Sequence, residues 1–257
     1  MEEHQGVIAT REDLAGYPWP SPDQVQYDHL RQAAALLPEG MGLTTGTWGI
    51  LETSRQLMGF EGMCLALHDD PGLVEGVVER IGTLLVEVFA RAAAMPRVVA
   101  LWYADDLAFA DGYFISPDWY RRALFPWFRR YGEIAAVRGL PLIYHCDGDI
   151  WDLLPDLADC GFTALQPIEP KAMDIIEVKR RWGRQFALIG NIDLGYTLTR
   201  GTPEQVEAEV RQRIREMAPG GGYCVGSSNS ITSYVPLANY RAMIAATRQW
   251  GRYPIRA

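Results

Sequence analysis

Six short apolar runs punctuate the chain, and each gives way to polar or amphipathic residues at its C-terminal end. Residues 98–106 (VVALWYADD) close on Asp105 and Asp106, and residues 140–148 (LPLIYHCDG) close on His145, Cys146 and Asp147. Residues 186–193 (FALIGNID) end in Asn191 and Asp193, and residues 222–229 (GYCVGSSN) end in Ser228 and Asn229. Residues 42–48 (GLTTGTW) and 164–169 (ALQPIE) are weaker versions of the same pattern. Short apolar runs that stop abruptly read as buried strands.

Between the runs, apolar positions keep helical spacing. Leu73, Val74, Val77, Val78, Ile81, Leu84, Leu85 and Val88 recur every three or four residues, which predicts an amphipathic helix from near Pro71 to about Ala94. Ser116 before Pro117 reads as an N-cap with a first-turn proline, opening a helix through Arg138. Asp174 with Glu177, and Thr202 with Gln205, have capping-box spacing for helices ending near Gly183 and Met217. Pro155 requires the helix over 149–160 to begin beside it or to bend there.

Strand and helix therefore alternate, which means right-handed βαβ units and a parallel sheet. Six open strands and a closed barrel read almost alike at this level. A chain of 257 residues can bury one large core without splitting. The first forty residues offer no strand, so the expected division is an irregular or partly helical arm over 1–40 and an α/β barrel domain over 41–257.

Charge and cysteine usage narrow the function classes. Lys plus Arg is 24 against 32 Asp plus Glu, a net charge of −8, and no long basic cluster is present, which argues against a nucleic-acid partner. No apolar stretch has the length of a membrane span, no signal peptide is evident, and the expected location is cytoplasmic. Cys64, Cys146, Cys160 and Cys224 form no CxxC pair and suit unpaired thiols in a reducing compartment. No nucleotide-binding motif is present.

In parallel α/β proteins the ligand site lies at the carboxyl ends of the strands, where these polar endings gather. Alternation along a strand turns His145 and Asp147 to one side and Cys146 to the other, and lets one of Asp105 and Asp106 face inward. Crowded carboxylates in such a site, Asp106, Asp147 and Asp193 among them, can supply a general acid or base.

His145-Cys-Asp-Gly148, Gly190-Asn-Ile-Asp193, Gly201-Thr-Pro-Glu204, Pro219-Gly-Gly-Gly-Tyr223 and Ser227-Ser-Asn-Ser-Ile231, followed by Val235-Pro236 and Asn239, form an ordered set. Together with Asp105-Asp106, Ile115-Ser-Pro117, Trp48-Gly-Ile-Leu-Glu52 and Leu57-Met-Gly59, they resemble the uroporphyrinogen decarboxylase superfamily from about Gly42 to Tyr240. The resemblance implies a TIM-barrel-like (β/α)8 fold, incomplete at the N-terminus, with about six parallel strands in this chain and two preceding βα units missing. It implies one of two chemistries, cofactor-independent decarboxylation of porphyrinogen acetates or zinc-assisted methyl transfer involving corrinoid proteins.

The arginine-bearing Arg-Gln-Ala-Gly-Arg-Tyr segment of the decarboxylases has no counterpart here, and their late histidine matches Asn229. The zinc methyltransferases use a His-x-Cys pair and a distant Cys. This chain reads His145-x-Asp147, and the distant position again falls at Asn229. The expected catalytic set is Asp106, His145, Asp147 and Asn229, with Trp48, Glu52, Tyr103, Asn191, Asp193 and Ser228 at the substrate. His145 and Asp147, joined by Glu52 if the fold permits, are the candidate ligands of a divalent metal such as zinc. The expected function is a methyltransferase-type enzyme acting on a small or corrinoid-linked substrate at the barrel rim. A decarboxylase of a porphyrinogen or other carboxylate, and a noncatalytic tetrapyrrole- or partner-binding protein, are the alternatives. Unpaired strand edges in an incomplete barrel predict a homodimer.

Overall fold

The structure, a computed structural model, describes residues 6–255. The first five residues of the expected arm, and 256–257 at the other end, lie outside the described residues. The chain opens with α1 (Arg11–Gly16), a 3-10 turn at Pro22–Gln24 and α2 (Asp28–Leu36). There follow β1 (Leu43–Trp48), α3 (Ile50–Met58), α4 (Phe60–Asp69), α5 (Pro71–Ala93), β2 (Val98–Ala104) and two short strands, β3 (Ala108–Phe109) and β4 (Gly112–Tyr113). Next come α6 (Pro117–Ala123), α7 (Phe125–Arg138), β5 (Leu142–Cys146), α8 (Leu154–Asp159), β6 (Ala164–Pro167) and α9 (Ile175–Trp182). The chain finishes with β7 (Ala187–Ile192), α10 (Thr197–Arg200), α11 (Pro203–Met217), β8 (Tyr223–Ser227) and α12 (Leu237–Trp250).

All six expected strands are present, and they form one parallel sheet in the order β1-β2-β5-β6-β7-β8, an α/β fold of the TIM-barrel-like kind. No helix among the described residues is long and apolar enough to cross a membrane. Two helical expectations need correction. The helix expected from Pro117 to Arg138 is broken at Leu124, because Pro126 has no N–H to donate back to the preceding turn, so α6 and α7 are separate. At α9 the Asp174 carboxylate does accept from Ile176 N, but Glu177 pairs with Arg180 instead of closing a capping box. Thr202 and Gln205 make the full reciprocal box at α11. Pro155 sits in the first turn of α8, where its missing N–H leaves no bond unmade.

The described residues pack as two units: 6–106, 115–144 and 152–162 in the first, and 107–114, 145–151 and 163–255 in the second. In the first unit β1 pairs with β2, Thr47 opposite Tyr103, and Leu101 N donates to Pro141 O just before β5. Its core is aromatic. The Tyr103 ring lies 4.5 Å from Tyr131 and 5.0 Å from Phe128, and Tyr144 and Phe162 complete the cluster. Helix α5 buries Val74, Val77, Val78, Ile81 and Phe89. It approaches α7 so closely that a Cβ on Gly82 would fall 2.4 Å from the Trp127 ring.

Residues 6–40 are partly helical and are tied down by arginines. Arg11 is bidentate to Asp70, Arg91 reaches Asp23, and the Arg97 guanidinium donates to the carbonyls of Ala34, Leu37, Pro38 and Met41.

In the second unit β7 lies between β6 and β8, with Leu188 opposite both Leu165 and Tyr223. Below them Ile192, Leu198, Val206, Val210, Ile214, Val235 and Met243 form an aliphatic core between the sheet and helices α11 and α12. Strand β5 passes from the first unit to the second between Tyr144 and His145.

Candidate functional site

In the first unit the polar end of β2 is spent on a helix. Helix α3 begins at Gly49, which offers no side chain to cap it. Tyr103 and Asp105 do so from β2. Ile50 N donates to the Tyr103 hydroxyl at 3.0 Å, and Leu51 N and Glu52 N donate to the two Asp105 oxygens at 3.0 and 2.8 Å. The Tyr103 hydroxyl itself donates to Asp105 at 2.8 Å. A Cβ at Gly49 would lie 2.0 Å from the Asp105 carboxyl carbon, so only glycine lets the acid reach the helix end. Burial pushes the Asp105 carboxyl up to about 7, against the lowering effect of its donors.

Tyr103 is thus a buried packing and capping residue, and Asp106, the next acid, follows beyond the strand, half-buried. Glu52 forms an ion pair with Arg55 and accepts from Gln56 Nε2 at 3.3 Å, which occupies its carboxylate within α3. Trp48, at the end of β1, is 72% exposed.

In the second unit the end of β5 meets β6 and the loop after β8. His145 Nδ1 is hydrogen-bonded to Gln166 Oε1, which holds the imidazole ring against β6. Asp147 Oδ2 accepts from Asn229 Nδ2 at 2.6 Å. Cys146 is turned the other way, as strand alternation requires: its sulfur accepts from Leu107 N at 3.3 Å and donates to Asp147 O. Gly148 (φ 85°) donates its N–H to Glu169 Oε2 at 3.1 Å. A Cβ there would lie 2.5 Å from Ala108 O, so the β3–β4 hairpin can pack against this turn only because the residue is glycine.

The remaining expected residues are also in this unit. Asn191, 1% exposed, donates to Ile168 O at 2.8 Å. Ile168 has φ 56°, a left-handed backbone that costs a β-branched residue about 1–3 kcal/mol, and the Asn191 bond helps hold it there. The two Asp193 oxygens accept from Gly195 N and Tyr196 N at 2.8 and 3.0 Å, shaping the turn before α10. Ser228 Oγ accepts from Leu194 N at 2.9 Å.

A cavity of about 190 Å³ opens over these loops, lined among others by Glu169, Lys171, Asp193, Ser228, Asn229 and Tyr234. The second unit therefore joins Asp147 to Asn229 and His145 to Gln166, with Asp193 and Ser228 on the cavity that Asn229 also lines. Sequence reasoning missed Gln166, Glu169 and Lys171. Glu169 ends one of the two weaker apolar runs, where the strand-end rule points, whereas Gln166 sits inside that run and the rule passes over it.

The donor chemistry bears on metal. The two positions at which the resemblance places thiolates hold Asp147 and Asn229, and these bond to each other, while Cys146 faces away. A thiolate zinc centre does not fit these residues. An imidazole nitrogen and carboxylate oxygens fit a divalent ion held by N and O donors.

A family model for uroporphyrinogen decarboxylase (URO-D) matches residues 4–250. Among curated proteins the chain is similar to a methylcobamide:CoM methyltransferase MtaA from Methanosarcina barkeri, 29% identical over 174 residues, covering 66% of this chain and 47% of that protein. It is similar as well to a methylated-thiol--coenzyme M methyltransferase from Methanosarcina mazei, 27% identical over 196 residues, covering 75% of this chain and 49% of that one. The chain spans about half the length of the curated relatives it matches. Among solved structures, a methyltransferase from Methanosarcina mazei shares the fold with a TM-score of 0.74 at 21% identity, covering 93% of this chain and 69% of that chain.

Proposed function

The chain belongs to the uroporphyrinogen decarboxylase family, and from that premise we propose that it is a methyltransferase-type member, moving a methyl group between a corrinoid-linked donor and a small acceptor. The observation that carries the reading is the β5 end, where His145 and Asp147 stand one residue apart and each is held by its own partner, Gln166 and Asn229. Oriented imidazole and carboxylate groups of this kind are what a metal or a proton-transfer site needs. Support for methyl transfer over decarboxylation comes from the two relatives named above, whose names both describe methyl transfer to coenzyme M.

His145 and Asp147 are the residues proposed to hold a divalent ion such as zinc. Such an ion, when bound, acts as a Lewis acid that lowers the pKa of an acceptor group. The chain's own contributions are positional. Gln166 holds the His145 ring in place through its Nδ1. The Asn229 amide keeps Asp147 in place and balances part of its charge. The proposed donor partner is a corrinoid protein.

Metal analysis of protein purified without chelator tests the reading, on the wild type, His145→Ala and Asp147→Ala, together with loss of the methylcobalamin absorption on adding a thiol. Near-stoichiometric metal and demethylation in the wild type, both lost in the variants, are expected. Metal-free wild type that leaves methylcobalamin intact even after zinc is supplied overturns the proposal.

A further inference from the structure

The first unit carries a groove of about 670 Å³ between residues 8–12 and helix α4. Its floor is apolar, formed by the buried side chains of Ile8, Met58 and Leu73. Helix α4 is one wall, and it is poorly covered for its composition. It carries Phe60, Met63, Leu65 and Leu67, yet of these only Met63 is buried, and Leu65 stands 58% exposed on the groove. The rim is acidic. Glu12 on α1 and Asp69 on α4 have neither an ion pair nor a side-chain hydrogen bond among the described residues, and Glu61 adds a further carboxylate. Arg11, the cation among the described lining residues, is already bidentate to Asp70. The rim is therefore net negative.

Close backbone contacts fix the second wall. Gly6 N and Ile8 N donate to Met58 O and Leu57 O at 3.0 and 2.9 Å, which ties the residues before α1 to the end of α3. A Cβ on Gly6 would fall 2.1 Å from Leu57 O, so this approach requires glycine. Helix α1 then lies on α5 over two glycines one turn apart. A Cβ on Gly72 would sit 2.8 Å from Arg11 Nη2, and one on Gly76 would sit 2.8 Å from Leu14 Cδ2. The groove is thus formed before anything enters it, and its volume suits a bound apolar segment. A small amine would meet a single carboxylate, whereas carboxylates on both walls match several cations flanking an apolar stripe. An anionic lipid surface would be repelled by the same acids.

We infer that this groove is a docking site for a basic amphipathic helix of a partner protein. The helix lays its apolar anchors over Ile8, Leu65 and Leu73 and sets Lys or Arg side chains against Glu12, Glu61 and Asp69. None of these residues takes part in the proposed methyl transfer, so the docking site and that function can fail separately.

The test is fluorescence anisotropy with a labelled peptide of leucine and lysine, about 18 residues long, whose leucines follow helical spacing. A scrambled peptide of the same composition is the comparison. The helical peptide is expected to bind about tenfold tighter than the scrambled one, and to weaken as salt is raised. Glu12→Gln combined with Asp69→Asn, and separately Leu65→Ser, should each weaken it about fivefold with an unchanged melting profile. Equal binding of the two peptides would mean attraction to an acidic protein at large, and overturns the inference. So does the absence of binding, or binding that either variant leaves unchanged. Hexylamine that binds as tightly as the peptide would assign the groove to a small amine. A light-scattering mass above one chain that falls in Leu65→Ser, with the peptide unbound, would assign it to a second copy. Either result also overturns the inference.

Discussion

Burial holds Asp105 at 1% exposure and pushes its carboxyl up to about 7, although Leu51 N, Glu52 N and the Tyr103 hydroxyl all donate to it. In the unfolded chain the same group ionises near the ordinary aspartate value of about 4. Between about pH 4 and pH 7 the unfolded state has lost this proton and the native state keeps it, so stability falls as pH rises through that window and levels off above it. The full effect is on the order of 4 kcal/mol. Thermal melts from about pH 5 to about pH 8 should therefore show a downward slope that flattens in Asp105→Asn, the variant being less stable at acid pH because its amide meets donors. A slope identical in both proteins would count against the raised carboxyl. At the other strand end, Gly148→Ala must place a Cβ 2.5 Å from Ala108 O at φ 85°, and should lower stability by about 3 kcal/mol in a denaturant melt.

Elements in this chain are started by side chains that differ in reach. Local caps were legible: Thr202 with Gln205 opens α11 as its spacing requires, and Thr202→Ala should cost about 1 kcal/mol, measured by urea unfolding. The α3 cap was not legible, because Tyr103 and Asp105 act on Ile50, Leu51 and Glu52 across more than fifty residues of sequence. Tyr103→Phe leaves the Ile50 N–H buried without an acceptor. It should destabilise by about 1–3 kcal/mol and show faster amide exchange at Ile50. Retained protection at Ile50 would mean that another acceptor moves in. The interruption between α6 and α7 is intermediate: Pro126 announces a break, but the apolar pattern continues through it and hides where the helix ends.

At the scale of the whole molecule, β1 and β8 are the first and last strands of the sheet order. Each leaves one row of backbone N–H and C=O groups without a strand partner among the described residues, an arrangement that favours association. The expected outcome is at least a dimer, and light scattering across a dilution series that returns the mass of one chain throughout would refute it.

The apolar runs by themselves determined the six strands and their parallel α/β arrangement, because buried strands need continuous apolar surface whatever they contact. The strand-end rule likewise picked out His145, Asp147 and Asn229, whose residue types announce chemistry. Tertiary structure alone decided what each polar ending does. Asp105 caps a distant helix, Glu52 is taken by Arg55, Asn191 and Asp193 shape loops, and the β5 end and the loop after β8 meet as Asp147 and Asn229. The physical reason is that burial is a property of a residue's own side chain and shows in local pattern. A hydrogen-bond partner is a property of two segments, and which segments meet is set by the sheet order and the loops that fold over it.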